Sequence, residues 1–403
     1  MSQVQQRLVL GRRLPENPLI TARDVTPSHP GLEVVSVFNA AAARIGNEIV
    51  LVLRVAERPR SDIDPPPDAL TLDLDRSHPV PKELSGRYKK EDVVGMAFLD
   101  FRSEPPEVVA AYIPRDLPGL DLRDPRTIRH RHTTGTLLRA SDSSDYLAQM
   151  SHLRVARSRD GVHFSIDRAP ALAPQTDLEE YGVEDPRVTL IGGTYYMTYV
   201  SVSRWGITTS LATTTDFRTF VRRGVIFLPD HKDVVIFPEK VNGQYVALTR
   251  PMPGSFGRVL GVWIASSPDL VDWGGHRPVC LPRRTRWDEL RTGASCVPFR
   301  VKEGWLELYH GVDRADRYSM GAVLLDGDDP RRVLARSPWP ILEPETAYEQ
   351  MGLFNDTVFA CGHVPLDDGR IRMYYGCADS VIAAADFDVH EIVASLEPWT
   401  TPA

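Results

Sequence analysis

Polar side chains stand at the starts of several short apolar segments: Asn39, Asp185, Glu239 with Lys240, Ser295, and Asn355 with Asp356. A strand that only packs has no use for them, because burying an unpartnered polar group costs free energy. Carboxylates and amides gathered in one place suit a hydroxyl-rich ligand, a sugar above all. Tyr199, Trp205, Tyr309 and Tyr375 are aromatics that stack on sugar rings in such sites, although most aromatics of this chain are expected in its core. Asp185 is the sharpest of the set, lying in Gly182-Val-Glu-Asp-Pro-Arg-Val188 directly ahead of an apolar run. A carboxyl there either accepts backbone N–H groups or transfers a proton. Proton transfer near neutral pH needs a raised pKa, from burial or a neighbouring carboxylate. Glu184 is adjacent, but consecutive strand residues point to opposite faces. Asp124-Pro125-Arg126 repeats three letters of the run, and with no strand–turn–strand pattern behind it this copy is assigned to a loop. Arg129-His130-Arg131-His132 has metal-ligand residue types but the alternating charge of an exposed loop, and no His–carboxylate cluster elsewhere supports it, so no metal is expected.

The elements that must hold these groups announce themselves by repetition. Ala156-Arg-Ser-Arg-Asp160, Ala212-Thr-Thr-Thr-Asp216 and Ala265-Ser-Ser-Pro-Asp269 are each followed by an aromatic, at Phe164, Phe220 and Trp273, and Ala322-Val-Leu-Leu-Asp326 is a weaker echo. The spacing of roughly 55 residues belongs with propeller blades of short strands rather than helical solenoids. The aspartates read as turn caps. Interleaved with them are five apolar strand–turn–strand stretches, turning at Gly46-Asn47, Gly192-Gly193, Asn242-Gly243, Lys302-Glu303-Gly304 and Asp368-Gly369. The expected fold is all-β, a single five-bladed propeller over residues 1–403 with a central funnel. Residues 57–92, with Pro65-Pro66-Pro67, and 114–150, with Ser141-Asp142-Ser143-Ser144, break the repeat and read as inserted loops.

The chain has 403 residues, a formal charge of −7, 42% hydrophobic and 25% charged residues. That is ordinary globular composition, and an acidic balance argues against a nucleic-acid partner, which needs a basic face. No run of about eighteen apolar residues suggests a membrane span, and no signal-peptide pattern opens the chain. Four scattered cysteines, Cys280, Cys296, Cys361 and Cys377, read as buried thiols. The expected setting is cytoplasmic, with a homo-oligomer compatible.

Four strings taken in order carry a resemblance: Gly182-Val-Glu-Asp-Pro-Arg-Val188, Phe237-Pro-Glu-Lys240, Gly304-Trp-Leu-Glu-Leu-Tyr-His-Gly311 and Tyr374-Tyr-Gly-Cys-Ala-Asp-Ser380. Together they resemble glycoside hydrolase family 130, the β-mannoside phosphorylases and β-mannosidases, from about Asn17 to Ile382. The resemblance implies inversion at the anomeric carbon with Asp185 as the acid, its proton passing through the mannose 3-hydroxyl. It implies a phosphate site at Lys232, Arg250, Arg291 and His310, with Lys232 and Arg291 exchanging the usual residue types. It also implies sugar contacts at Asp379 and Asn39, joined by Glu184, Glu239 and Lys240. Phosphorolysis of a β-manno-oligosaccharide, with inorganic phosphate as co-substrate and no cofactor, is the leading expectation. An inverting β-mannosidase using Glu57 or Glu239 to activate water is the alternative. A sugar-binding propeller without catalysis and a furanosidase-type propeller stand behind these two.

Overall fold

The computed structural model describes residues 10–74, 80–131, 143–252 and 259–399. It is mostly β, with 53% strand and 5% helix. Strands follow one another in five mostly antiparallel units. The first two are joined into one eight-stranded sheet by a parallel pairing of Ser151 with Gly182, and the fourth is widened to six strands by Phe299–Val301 and Glu397–Pro398. The first comprises Leu32–Ile45, Glu48–Pro59, Met150–Ser158 and Ser165–Ile166. The second comprises Gly182–Ile191, Thr194–Ser203, Gly206–Thr214 and Val221–Phe227, and the third His231–Ile236, Tyr245–Pro251, Val262–Ser267 and Gly274–Cys280. The fourth holds Arg291–Ala294, Gly304–Val312, Tyr318–Leu325 and Val333–Arg336. The fifth pairs Val358–Pro365, Arg370–Cys377 and Val381–Asp388 with Arg12–Arg13 from the other end of the chain. Arg13 fastens that join, its Nε 2.8 Å from a carboxylate oxygen of the fully buried Glu349.

Alternation along single strands explains why these segments read as unbroken apolar runs. In Val50-Leu-Val-Leu53 every residue is buried, but Val50 and Val52 enter the core shared with the second unit. Leu51 and Leu53 enter the core shared with the fifth. A strand buried on both faces loses the polar half of its pattern. Further cores join the second unit to the third, the third to the fourth and the fourth to the fifth. The series of cores thus returns to its start.

The repeated aspartates do what their spacing predicts. Asp160, Asp216, Asp269 and Asp326 each accept two backbone N–H groups from the residues two and three ahead, all within 3.1 Å. They tie the turn between the third and fourth strands of their units.

The two segments read as loops are different. Residues 57–92 and 114–150 contribute strands: Leu70–Asp73 and Val80–Glu83 join Val93–Asp100 and Glu107–Pro114 in one sheet, and Leu120–Asp121, Thr127–Arg131 and Ser143–Leu147 form another. Both interrupt the first unit between its second and third strands. Short strands among prolines and charges carry little periodicity, and their apolar side chains serve a separate core around Met96, Phe98, Ile113 and Ile128. His132, Ser141 and Asp142 lie outside the described residues. No helix among the described residues is long and apolar enough to cross a membrane.

Candidate functional site

One local device recurs on the first strands of three units. Asn39, Asp185 and Asp233 have φ of 49°, 45° and 56°, in the left-handed region that Asn and Asp tolerate better than most residues. Each sits where strand register slips, between Phe38 and Ala41, Glu184 and Arg187, and Lys232 and Val235. A bulge of this kind re-aims a side chain out of the strand's alternation. Here it brings the Asn39 amide against the Asp185 carboxylate and aims Asp233 at Arg187 and Arg250.

Asp185 is buried, and its Oδ1 accepts from Asn39 Nδ2 and from Arg54 Nη1, both at 2.9 Å. Lys232 Nζ lies 3.6 Å from its Oδ2. Arg54 also donates to Glu184 at 2.7 Å, so Glu184 and Asp185 share one guanidinium instead of facing apart. The bulge overrides the strand alternation. Asn39 is pressed from behind by Gly376, where a Cβ would stand 2.3 Å from its Oδ1. Burial pushes the Asp185 carboxyl up, but Arg54, Lys232 and Arg187 outweigh burial and hold it well below the ordinary carboxylate range. The raised pKa expected of Asp185 is therefore not found; its carboxyl is held low.

Deeper in, a sealed ion network begins. Asp233 is fully buried, with Arg250 Nε at 2.7 Å, Arg187 Nη2 at 3.2 Å and His310 Nε2 at 3.5 Å. Arg187, the last residue of Glu-Asp-Pro-Arg, also donates to the carbonyls of Ser295 and Ala294, bridging the second, third and fourth units. His310 shares a hydrogen bond with Ser295 Oγ at 2.9 Å. Burial, with Arg250, Arg187 and Lys232 nearby, pushes His310 down to about 3 against the pull of Asp233, so its imidazole is neutral and not a fourth cation. Gly293 leaves the space these groups need, since a Cβ there would come within 2.5 Å of His310 and Asp233.

The opposite side of the site is built on Asp379, also in the left-handed region with φ 50°. Burial raises its carboxyl to about 6, against the pull of Arg54 and Arg126. Arg126 Nη1 is 3.8 Å from Asp379 Oδ2, and its guanidinium lies 4.0 Å over the Phe354 ring. Arg126 belongs to the Asp-Pro-Arg copy assigned to a loop; strand Thr127–Arg131 follows it directly, and the segment reaches the site. Arg291 stands at the rim, 3.3 Å from Asp316 and over the Tyr318 ring, which itself stacks on His310.

Other expected members lie elsewhere. Glu239 is exposed and pairs with Arg300 at 2.8 Å, and Lys240 caps the Tyr245 ring at 4.3 Å. Both follow the first strand of their unit, at the turn end of the hairpin whose other end carries Lys232 and Arg250. The sequence pattern places Phe237-Pro-Glu-Lys240 at the start of a strand, but the strand runs over His231–Ile236 and ends before it. Glu57 carries two hydrogen bonds from Ser28 and lies 3.6 Å from His152. Three positions from Arg54, it falls on the other face of the strand. Tyr199, Tyr309 and Tyr375 are core residues, and Trp205 is exposed. Asn355 and Asp356 line a cleft beside Phe354. Arg54, Arg126, Arg187 and Asp233 have no role assigned by sequence; the polar residues two positions after Asp185 and one after Lys232 are the available signal. Among the described residues no group of three His, Cys, Asp or Glu side chains could hold a metal ion.

The arrangement presents a buried carboxylate beside several cations, which suits an anionic reactant, and a second carboxyl that suits hydroxyls. Comparison with known proteins agrees. Residues 142–397 match the family model of glycoside hydrolase family 130, described as beta-1,4-mannooligosaccharide phosphorylase. A beta-1,2-mannobiose phosphorylase of Listeria innocua is 41% identical over 96% of this chain and 98% of its own. A 1,2-beta-oligomannan phosphorylase of Thermoanaerobacter is 38% identical over 64% of this chain and 86% of its own. The solved Listeria innocua beta-1,2-mannobiose phosphorylase, in complex with beta-1,2-mannobiose, superposes with a TM-score of 0.81 at 40% identity, covering 96% of this chain and 98% of that one.

Proposed function

The chain belongs to glycoside hydrolase family 130, and we propose that it cleaves β-mannosidic bonds of manno-oligosaccharides with inversion, by phosphorolysis, releasing α-mannose 1-phosphate and a shortened acceptor. Inorganic phosphate is the co-substrate. The observation that carries this reading is the placement of Lys232 at Asp185 and of Arg250 at Asp233, with Arg291 on the rim over Tyr318, which stacks on His310.

In this reading phosphate binds between Lys232, Arg250 and Arg291, with the neutral His310 donating or accepting one hydrogen bond. A phosphate oxygen attacks the anomeric carbon from the face opposite the leaving sugar, and the glycosidic C–O bond breaks. Asp185 supplies the proton that the leaving oxygen needs, through a mannose hydroxyl. Its low pKa then makes sense as a gate. A dianion beside Lys232 offsets the charge that depresses Asp185, so proton affinity rises when both substrates are in place. Asp379, Asn39 and Glu184 hold mannose hydroxyls.

Hydrolysis would need a second carboxylate about 6.5–9.5 Å across the sugar to activate water. Glu57 and Glu239, the two named for that task, face other surroundings. We read the five units, with their returning series of cores, as five blades of one propeller domain spanning 1–403 around this funnel. The linkage is read as β-1,2 by likeness to the Listeria relative, and the setting as cytoplasmic, where phosphate is at hand. Incubation with β-1,2-mannobiose tests the reading. Mannose 1-phosphate should form only when phosphate is present, whereas free mannose released without phosphate would replace it with the inverting β-mannosidase.

A further inference from the structure

Ser295 is one of the polar residues that open the apolar segments, and the reading above leaves it without a task. It follows the strand Arg291–Ala294 and is fully buried. A buried hydroxyl costs free energy unless it is hydrogen-bonded. Its Oγ lies 2.9 Å from His310 Nδ1, and among the described residues it makes no other hydrogen bond. The backbone of Ser295 is clamped on both sides. Its N–H donates to Glu307 Oε1 at 3.0 Å, and its carbonyl accepts from Arg187 Nε at 3.3 Å. Glu307 is itself fully buried, and burial pushes its carboxyl well up, so this clamp is a neutral acid that brings no charge to the phosphate side.

Two arguments fix the direction of the Ser295–His310 hydrogen bond. A neutral imidazole carries one proton, and the bond made by one nitrogen decides what the other offers. With the proton on Nδ1, Nε2 would turn a lone pair toward Asp233 Oδ2, 3.5 Å away on a carboxylate paired with Arg250 and Arg187. Two buried acceptors would then face each other, and the Ser295 hydroxyl proton would have no acceptor. With Ser295 donating to Nδ1, both faults disappear, and Nε2 carries a proton aimed at anionic oxygens. Tyr318 and Phe359 pack on the imidazole at centroid distances of 6.0 and 4.6 Å and hold its plane.

We propose that Ser295 is a positioning residue that holds neutral His310 in the tautomer with its proton on Nε2, so that the imidazole gives phosphate a hydrogen-bond donor. This rests on the phosphorolytic reading above. A donor of this kind orients the dianion without adding to the charge of Lys232, Arg250 and Arg291.

The test has two readouts on the full chain. Nitrogen-15 NMR of histidine-labelled protein at pH 7, with the His310 signals assigned by their loss in His310→Gln, should show Nε2 protonated and Nδ1 bare. In kinetics with β-1,2-mannobiose, Ser295→Ala should raise the KM for phosphate about tenfold or more. The KM for sugar, and kcat at saturating phosphate, should stay within about threefold of the parent. Ser295→Thr, which keeps the hydroxyl, should return the phosphate KM to within about threefold. A proton found on Nδ1 in the parent overturns the inference, whether or not the variants fold. So does a folded Ser295→Ala whose KM for phosphate is unchanged. A lower melting temperature with both KM values moved together marks a packing role and overturns it as well. Failure of the functional reading looks different: the parent forms no mannose 1-phosphate at any phosphate concentration, and this inference falls with it.

Discussion

The two sides of the site use the same residue type to opposite ends. Asp185 and Asp379 are both aspartates in the left-handed region and both near Arg54, Asp185 buried and Asp379 partly so. Asp185 accepts hydrogen bonds from Arg54 and Asn39, has Lys232 at 3.6 Å and Arg187 nearby, and is held low; Asp379 has Arg126 at 3.8 Å, is repelled by the Asp185 carboxylate, and is raised to about 6. Burial alone would have raised both. The closeness of the cations and the repulsion from Asp185, not the number of cations, decide which carboxyl stays ionised, and they differ because the inner side is lined by first strands while the outer side is completed by an insertion. One side is prepared for an anion and the other for hydroxyls.

The largest effect expected from breaking this contrast is at Asp185. Asp185→Asn keeps the hydrogen bonds to Asn39 and Arg54 partly satisfied but carries no transferable proton, and kcat should fall by about 10²–10⁴-fold with the fold intact by circular dichroism. Next comes Lys232→Met, which removes a charge from the inner side without emptying its volume. The KM for phosphate should rise about tenfold or more, while the KM for sugar changes much less. A change confined to the sugar KM would reverse the assignment of the two sides.

Asp379 offers a pH-resolved test. Because its carboxyl titrates near 6, sugar KM should rise as pH falls through about 6, and Asp379→Asn should lack that limb. Linkage gives a second sign. The folded pKa lies above the unfolded value, so the protonated form is favoured by folding and stability is lost as pH rises through about 6. Asp379→Asn should therefore melt higher than the parent at pH 8 and match it more closely at pH 4, even as activity is lost. The smallest effect is a null one. His310 titrates near 3, so between pH 6.5 and 8.5 the KM for phosphate should follow only the ionisation of phosphate itself. An additional inflection would mean that the imidazole charges.

What the sequence made legible was what repeats or what local chemistry dictates. The turn-capping aspartates and the glycine turns are local, and both appear at the expected places. Asp185 with Asn39, and Lys232 with Arg250, were also readable as a set, the latter through family resemblance. The misses have one cause in common, which is that through-space partners carry no local signature. Arg54 sits mid-strand in an apolar run and meets Asp185 only because a bulge turns Asp185 toward it. Arg126 lies in a segment whose short strands have no periodicity. Glu239 and Glu57 were carboxylates at plausible distances along the chain, placed by a hairpin end in one case and by strand parity in the other on surfaces away from Asp185. The sign of the Asp185 shift was invisible for the same reason, since it depends on three cations from three different strands.

The central claim is that the cation-lined side of the site holds phosphate as the attacking group, across the sugar from the proton delivered by Asp185. Proton and phosphorus NMR of a reaction with β-1,2-mannobiose and phosphate, read before equilibrium, tests it most directly. The account predicts a single new phosphate ester, α-mannose 1-phosphate, appearing in step with free mannose and absent in Asp185→Asn. A β-configured phosphate, or mannose released without any phosphate ester, would contradict it.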